Sequence, residues 1–303
     1  LPSKQWVAGS SPAEEANFQN RKGNNMYIIL KLTFLIPVFT VLAIGCTNTN
    51  KDNNLEIDEY SPRFNEFMAC EKGAEYSSKN LSMMISDWRA FQLSEEMMGA
   101  FFHDPINEEN TFGPTAWWEL EWSSKEAADT AWEQWSNNEE AVEWSEKYSD
   151  VLVCNQEGRN SWDLIYPISF DLFGEPNDSG YFYSQYWSCN FKNDANRKDM
   201  ENFIPTHKAF IEESDLKGTG YHYGVYFDRR SEDASHSNVE TSHLWAEWAR
   251  SAESMDVQNR NFADNGQSTF EIFNQIGACP ENPDIYDSWV LYLKDKPELV
   301  PSF

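Results

Sequence analysis

The residues best suited to proton transfer lie on predicted β-strands. One predicted strand carries His222 and Tyr226 on the same face, and a second carries His243 and Glu247 on one face. The assignment follows from the two-residue period of strands, in which successive side chains point to opposite sides. Imidazole and carboxyl groups are the side chains that most often act as general acids and bases. This pattern is typical of acid–base chemistry in an enclosed site.

The first half of the chain offers a similar set. Glu119 and Glu121 share a face of a predicted strand with Trp117, and His103 ends the preceding strand. Alternating apolar residues, such as Leu244, are expected to pack against helices, so the polar faces are predicted to line an interior lumen. The candidate catalytic residues are His243, Glu247, His222 and Glu121. The candidate ligand-binding residues are Tyr226, Trp245, Trp117, Glu119 and His103. Two alternatives stay open, in which these side chains face solvent on an open sheet or are paired within the core.

Much of the sequence pattern occurs twice along the chain. Cys70 matches Cys189, and Ser161 followed by Trp matches Ser288 followed by Trp. Further matches in the same order, including Glu121 with Glu247, keep the offset between 119 and 127 residues. An ordered series of this kind indicates a diverged duplication.

Each half contains the same predicted order of elements. In 78–93, Leu81, Ile85 and Trp88 recur at helical spacing. Strands are predicted before and after this helix, followed by a third strand, a second helix and a fourth strand. Each half therefore predicts a β-α-β-β-α-β, ferredoxin-like unit. We expect a first repeat over 62–170, a linker over 171–180 and a second repeat over 181–303. The helix predicted over 197–212 contains Pro205, which we expect to kink or shorten it.

This order of elements, twice in one chain, resembles the dimeric α/β-barrel superfamily, which includes antibiotic-biosynthesis-monooxygenase-like proteins. The carriers of the resemblance are 116–122 running directly into the helix at 124–135, and 242–248 with its own helix. The resemblance implies an α+β fold in which two tandem ferredoxin-like repeats face sheet to sheet as an intrachain α/β barrel. It also implies a monomer. The superfamily contains cofactor-free oxygenases, haem enzymes and proteins without known activity, so it assigns no catalytic residue.

The segment before the repeats has the pattern of an export signal. Residues 26–45 begin with Met and a Lys-containing stretch, continue as a short apolar run and end before Cys46. This ending resembles the lipobox of bacterial lipoproteins and predicts lipidation of Cys46. Residues 1–25 are interpreted as an unstructured upstream extension and 46–61 as a polar tether. The prediction is an exported, membrane-anchored protein facing the periplasm or the cell surface; an uncleaved single-span anchor is the alternative.

The remaining four cysteines fall at equivalent places in the two repeats. In an exported protein an even number of cysteines favours disulfides. Repeat symmetry favours Cys70–Cys154 and Cys189–Cys279, each closing a loop worth on the order of 4 kcal/mol. No CxxC or HxxxH pattern occurs, so a zinc site at these cysteines is the weaker alternative to structural disulfides. No metal site and no cofactor are predicted.

A net charge of −27 excludes nucleic acid as a plausible partner, because phosphates require basic groups. The 13 tryptophans invite a carbohydrate-binding interpretation, but their periodic positions favour a role in the core. The sequence therefore predicts a protein that binds a small molecule in the barrel lumen. The alternatives are a cofactor-free, oxygenase-like enzyme using lumen His and Glu, and a non-catalytic structural, glycan-binding or partner-binding lipoprotein.

Overall fold

The computed structural model describes residues 62–107, 109–111, 113–174, 177–229 and 241–303. The predicted upstream extension, signal peptide, lipidation site at Cys46 and tether all lie outside the described residues. Within the described ranges, no helix has the length and apolar character needed to cross a membrane.

Both halves of the described chain form the predicted β-α-β-β-α-β order, with one additional helix and one additional short strand before the last strand of each. The first repeat contains β1 (Arg63–Lys72), α1 (Ser78–Arg89), β2 (Met97–Pro105), β3 (Ala116–Trp122), α2 (Lys125–Ser136), α3 (Glu139–Lys147), β4 (Leu152–Cys154) and β5 (Asn160–Ile165). The second contains β6 (Tyr181–Phe191), α4 (Arg197–Glu212), β7 (His222–Asp228), β8 (His243–Ala249), α5 (Ala252–Asn265), α6 (Gln267–Ile276), β9 (Gly277–Ala278) and β10 (Asp284–Leu293).

The eight long strands close into one antiparallel barrel. Within the repeats the strand orders are β5-β1-β3-β2 and β10-β6-β8-β7, and the pairs β5–β7 and β2–β10 join the two sheets. The short strands β4 and β9 add to β1 and β6. Closure leaves no open edge among the eight strands. The predicted fold, an intrachain α/β barrel of two ferredoxin-like repeats, is confirmed.

Helix starts are fixed by polar caps that the sequence shows directly. The side chains of Ser77, Ser124 and Ser251 accept hydrogen bonds from backbone N–H groups in the first turns of α1, α2 and α5. Asn196 and Asp199 form a reciprocal capping box at the start of α4. Such caps satisfy N–H groups that have no partner within the helix.

The expectation that Pro205 shortens its helix is wrong. Helix α4 runs continuously from Arg197 to Glu212 with Pro205 inside it. Pro205 is exposed, whereas Phe203, Ile204 and His207 around it are buried. Because the proline lies on the solvent side, water can bond the carbonyl that the missing N–H leaves free, and the buried face holds the helix in place.

Three apolar clusters divide the interior. One lies between the first repeat's sheet and its helices, and a second occupies the equivalent space of the second repeat. The third lies inside the barrel and includes Phe67, Tyr186, Tyr226, Trp248 and Tyr286. The barrel lumen is thus lined by large aromatic side chains.

The two predicted disulfides, Cys70–Cys154 and Cys189–Cys279, are confirmed. Each joins the first long strand of a repeat to a point just after that repeat's last helix, outside the barrel.

Candidate functional site

A hydrogen-bonded network crosses the barrel lumen and joins the two repeats. At its centre, His103 Nε2 lies 2.8 Å from Glu119 Oε2, and His103 Nδ1 lies 2.8 Å from Ser288 Oγ. Ser288 Oγ in turn lies 2.7 Å from Ser184 Oγ. Glu119 Oε1 accepts hydrogen bonds from Tyr226 OH at 2.8 Å and from Asn65 Nδ2. We call these six residues the lumen network.

The lumen network is buried and internally paired. His103, Glu119 and Ser288 are each at most 2 % exposed. Both ring nitrogens of His103 and both carboxylate oxygens of Glu119 have protein partners. Because a buried carboxylate without partners would cost several kcal/mol, these contacts stabilise the barrel. A substrate would have to displace one of them before His103 could exchange a proton with it.

A second polar cluster lies at one end of the lumen. Arg63 Nη1 donates to Glu121 Oε2 at 2.6 Å, and Tyr166 OH donates to Glu121 Oε1. Burial raises the pKa of Glu121, and the charge of Arg63 opposes that rise. The ring of Phe170, which is 51 % exposed, lies 4.1 Å from the ring of His222. This end of the barrel is therefore closed by an aromatic side chain over a carboxyl and an imidazole.

His222 is a neutral side chain at this end of the lumen. Its Nδ1 lies 3.0 Å from the carbonyl oxygen of Tyr223, so Nδ1 carries the proton. Burial lowers the pKa of His222 to about 3. Its Nε2 finds no hydrogen-bond donor among the described residues.

Six of the nine predicted site residues face the lumen, on strands β2, β3 and β7. They are His103, Trp117, Glu119, Glu121, His222 and Tyr226. The structure divides them between the lumen network and the Arg63 end of the barrel.

The predicted placement in the lumen is wrong for His243, Trp245 and Glu247, whose side chains point away from the lumen. Trp245 packs against Phe203 of α4, and its Nε1 donates to Glu247 Oε1 at 3.2 Å. The alternate residues of β8 face the lumen, namely Leu244, Ala246 and Trp248.

The error comes from the expectation that the apolar alternates of β8 pack against the helices, and the register of the repeats gives the correct orientation. Strands β3 and β8 begin at Ala116 and His243, and the following helices are capped by Ser124 and Ser251. Both pairs are 127 residues apart, whereas matching Glu121 with Glu247 implies 126. A slip of one residue transfers every side chain of a strand to the opposite face. All seven residues of β8 are buried, so its hydropathy pattern could not correct the slip.

Burial is the main cause of the shifted pKa values of the side chains that point outward from β8. It raises the pKa of Glu247 to about 7 and lowers that of His243 to about 4. His207 of α4 packs against Trp245, and burial lowers its pKa to about 3. These groups lie among aromatic rings and belong to the core of the second repeat.

The described structure also contains a cavity of about 800 Å³ outside the barrel. It lies between the outer face of the first repeat's sheet and helices α1, α2 and α3. Its walls contain a group of aromatic residues, namely Trp88, Phe91, Trp118, Trp122, Trp132, Trp135 and Trp144, together with aliphatic side chains. We call this cavity the tryptophan cleft.

The aromatic wall of the tryptophan cleft is held by edge-to-face contacts. Trp118 lies 5.2 Å from Trp88 and 6.5 Å from Trp144, measured between ring centroids. Trp144 continues the row, 5.8 Å from Trp135. Such pairs are individually favourable, so the wall is a preformed surface.

The buried indole N–H of Trp118 in the tryptophan cleft lacks an acceptor among the described residues. Trp122 and Trp132 donate to Glu66 Oε2 at 3.0 and 2.7 Å, and Trp144 donates to the Met84 carbonyl at 3.1 Å. Trp118 is only 4 % exposed, and its Nε1 has no partner in the part of the chain that the structure describes. A buried N–H without an acceptor is costly, so this donor could bind a ligand.

The mouth of the tryptophan cleft is polar and acidic. Gln92, Glu95, Glu96 and Gln134 are exposed lining residues. None of the lining residues within the described ranges is basic. The cleft therefore offers an apolar interior with carboxylates and amides at its edge.

Sequence analysis assigned the α2 tryptophans to the core. In the structure Trp132 and Trp135 are partly buried and line the cleft with Ala131, while Ala128 is the fully buried residue of α2. The available indication was the small size of Ala127, Ala128 and Ala131 before these tryptophans, because alanines alone cannot fill the space beneath a helix.

No family model matches the sequence, and no curated protein matches it. Solved structures share the layout at low identity. A candidate monooxygenase of Fusobacterium nucleatum has a TM-score of 0.47 and 13% identity, covering 77% of this chain and 94% of that one. An anthrone oxidase-like protein has a TM-score of 0.45 and 10% identity, covering 77% and 95%. Likeness at this level carries no information about activity.

Proposed function

We propose that this protein binds a small, uncharged or cationic organic molecule in the tryptophan cleft. The observation that carries the proposal is the aromatic cavity itself. Its volume of about 800 Å³ lies within the range of small-molecule sites, roughly 300–1,000 Å³. This retains a ligand-binding function but places the ligand outside the barrel.

The lining defines the ligand's chemistry. Aromatic walls favour a planar or apolar body, and they also attract cations. Glu95 and Glu96 at the mouth, together with the net charge of −27, disfavour anions. The free N–H of Trp118 favours a ligand with a hydrogen-bond acceptor on its buried part.

A matched pair of dyes tests the charge selectivity. N-phenyl-1-naphthylamine is uncharged, and 1-anilinonaphthalene-8-sulfonate is the same molecule with a sulfonate. We expect saturable one-to-one binding of the neutral dye and at least tenfold weaker binding of the sulfonate, measured by dye fluorescence. Equal affinity for both dyes would contradict the proposed selectivity.

Two variants test the location. Ala131→Trp adds an indole within the cleft lining and should reduce affinity for the neutral dye at least tenfold. Trp245→Phe alters a buried tryptophan of the second repeat and should leave it unchanged. Unaltered binding in the Ala131→Trp chain, with native circular dichroism, would place the dye elsewhere.

The role of Trp118 needs a ligand with an acceptor. Nile red is uncharged, planar and carries a carbonyl oxygen. Trp118→Phe keeps an aromatic ring but removes the N–H, and we expect roughly fivefold weaker binding, as for one hydrogen bond of about 1 kcal/mol. Affinity for N-phenyl-1-naphthylamine, which lacks a carbonyl, should change less.

A cofactor-free, oxygenase-like reaction in the lumen is the second candidate, favoured by the placement of His103 between Ser288 and Glu119. His103 would accept a proton from the acidic C–H of an enolisable aromatic ketone that enters past Phe170. Oxygen consumption with anthrone tests this candidate, and a rate that Phe170→Ala raises and His103→Asn abolishes would support it. No oxygen consumption above the protein-free rate with either chain would count against it.

We further propose that the protein is exported, anchored through lipid on Cys46 and monomeric. The two disulfides support an oxidising compartment, and closure of the barrel within one chain supports a monomer. Expression of Cys46→Ala in a bacterial host should abolish palmitate labelling and move the protein to the aqueous phase of a detergent partition. Light scattering of the released chain measures its mass.

A further inference from the structure

The two disulfides occupy equivalent places but have different neighbours. Cys70 lies opposite Ala116 in the pairing of β1 with β3. Cys189 lies opposite His243 in the pairing of β6 with β8. Residues directly opposite in an antiparallel pair lie on the same face, with Cβ atoms about 5 Å apart. An imidazole therefore adjoins the second disulfide and no ionisable group occupies the matching position beside the first.

His243 has an unused ligand atom. Its Nδ1 lies 2.9 Å from Ser242 Oγ, and its ring stacks on Phe191 at 4.8 Å between centroids. Its Nε2 has no partner among the described residues, although the side chain is fully buried. A buried nitrogen without a donor or a metal is unusual in a folded protein.

The sulfurs of Cys189 and Cys279 and a ring nitrogen of His243 all lie within 4.8 Å of one another. Tetrahedral zinc, with Zn–S near ~2.3 Å and Zn–N near ~2.0 Å, places such atoms roughly 3.5–3.8 Å apart. The disulfide holds its two sulfurs too close for both to bind one ion. Breaking the bond lets the thiolates separate to this spacing. Cys279 is partly exposed, so a reductant and a metal can approach from its side.

We propose that reduction of Cys189–Cys279 creates a Cys2His site for Zn²⁺. A dithiol reductant supplies two electrons and two protons and becomes a disulfide itself, while the Cys189–Cys279 bond breaks to give two thiols. Zn²⁺ binding then releases both thiol protons to solvent. His243 donates a ring-nitrogen lone pair, and water takes the fourth position. The oxidised pair is a covalent crosslink and the reduced pair a metal site.

The test isolates the second pair in the full chain. Cys46, Cys70 and Cys154 are replaced by serine, the remaining pair is reduced with a phosphine, and Co²⁺ is titrated as a spectroscopic probe. We expect one Co²⁺ per chain, with tetrahedral d–d bands and a thiolate charge-transfer band, displaced by Zn²⁺. His243→Ala in this background should weaken Co²⁺ binding at least tenfold.

The first repeat provides the matched control. A chain that retains Cys70 and Cys154, with serine at the other three cysteines, should bind Co²⁺ at least tenfold more weakly. Ala116→His in that chain should restore part of the affinity, because it places an imidazole where His243 stands in the second repeat.

Two results would overturn the proposal: equal Co²⁺ affinity of the two isolated pairs, or unchanged affinity after His243→Ala. Far-UV circular dichroism follows folding throughout. If reduction unfolds the chain, Zn²⁺ should refold it, because metal binding to a native site is coupled to folding. Failure of Zn²⁺ to restore the native spectrum would also refute the site.

Discussion

The native chain should lose about 3 kcal/mol of stability between pH 4.5 and pH 7 through ionisation of Glu247, and Glu247→Gln should remove this loss. Burial raises the pKa of Glu247 from 4.5 to about 7, so the native chain holds this proton more tightly than the unfolded chain. The native state then loses stability as the pH rises from about 4.5 to about 7, and loses no more above that range. A difference of 2.5 pKa units, at roughly 1.4 kcal/mol each, gives roughly 3 kcal/mol. Glutamine binds no proton in this range and escapes the loss.

Urea unfolding at a series of pH values, followed by tryptophan fluorescence, measures this difference. The free energy of unfolding of Glu247→Gln minus that of the parent should rise between pH 4.5 and 7 by the stated amount. Buried histidines such as His243, with lowered pKa values, act in the opposite direction over this interval. They are common to both chains and cancel. Glu271→Gln, on the exposed face of α6, is the control for the effect on stability of removing one negative charge from an acidic protein.

A difference between the two chains that stays constant with pH would refute the reasoning. Glu247 would then ionise as it does in water, and its placement between β8 and the outer helices would be wrong. The experiment therefore tests the burial of Glu247.

Three further predictions concern the framework. His103→Phe should lower the free energy of unfolding by about 3 kcal/mol, because Glu119 loses a buried partner. The same substitution should cost less in a chain that also carries Glu119→Gln. Equal losses in both backgrounds would show that the pair is uncoupled. Replacing Cys189 and Cys279 by serine should cost about 4 kcal/mol in chemical unfolding, and a cost near zero would argue that the unfolded chain is already compact. Ser251→Ala should cost about 1 kcal/mol through loss of its cap, whereas Ser251→Asp should retain the stability.

The fold could be predicted because its determinants are local and repeated. Strand and helix periods and serine caps occur in both repeats and are visible in short windows of sequence, and each repeat contains one pair of cysteines. Ser124 and Ser251 mark the starts of equivalent helices to the residue. The same two serines fix the register of β8 against β3, because each lies eight residues after the start of its strand.

The polar sites could be predicted only in part, because lumen and outer face are both buried. Glu119 and Glu121 stand out on β3 as carboxyls between aromatic residues, and only the inside of the barrel supplies partners such as Tyr226 and Arg63. On β8 the buried carboxyl of Glu247 instead receives the Trp245 indole N–H on the outer face. The alternation of polar and apolar residues along a strand therefore cannot show whether a buried carboxyl faces the lumen or the outer helices. The partner of each carboxyl depends on contacts far apart in the chain.

The tryptophan cleft arises from a difference between the repeats. In the second repeat, Phe203, Trp245 and Phe273 contact one another between sheet and helices. In the first, α2 and α3 each contribute one fully buried residue, Ala128 and Ala141. Tryptophans at the edges of these helices hold them over the sheet while leaving space beneath. Because both repeats share the barrel and an equivalent disulfide, this difference is confined to the helices packed outside the barrel.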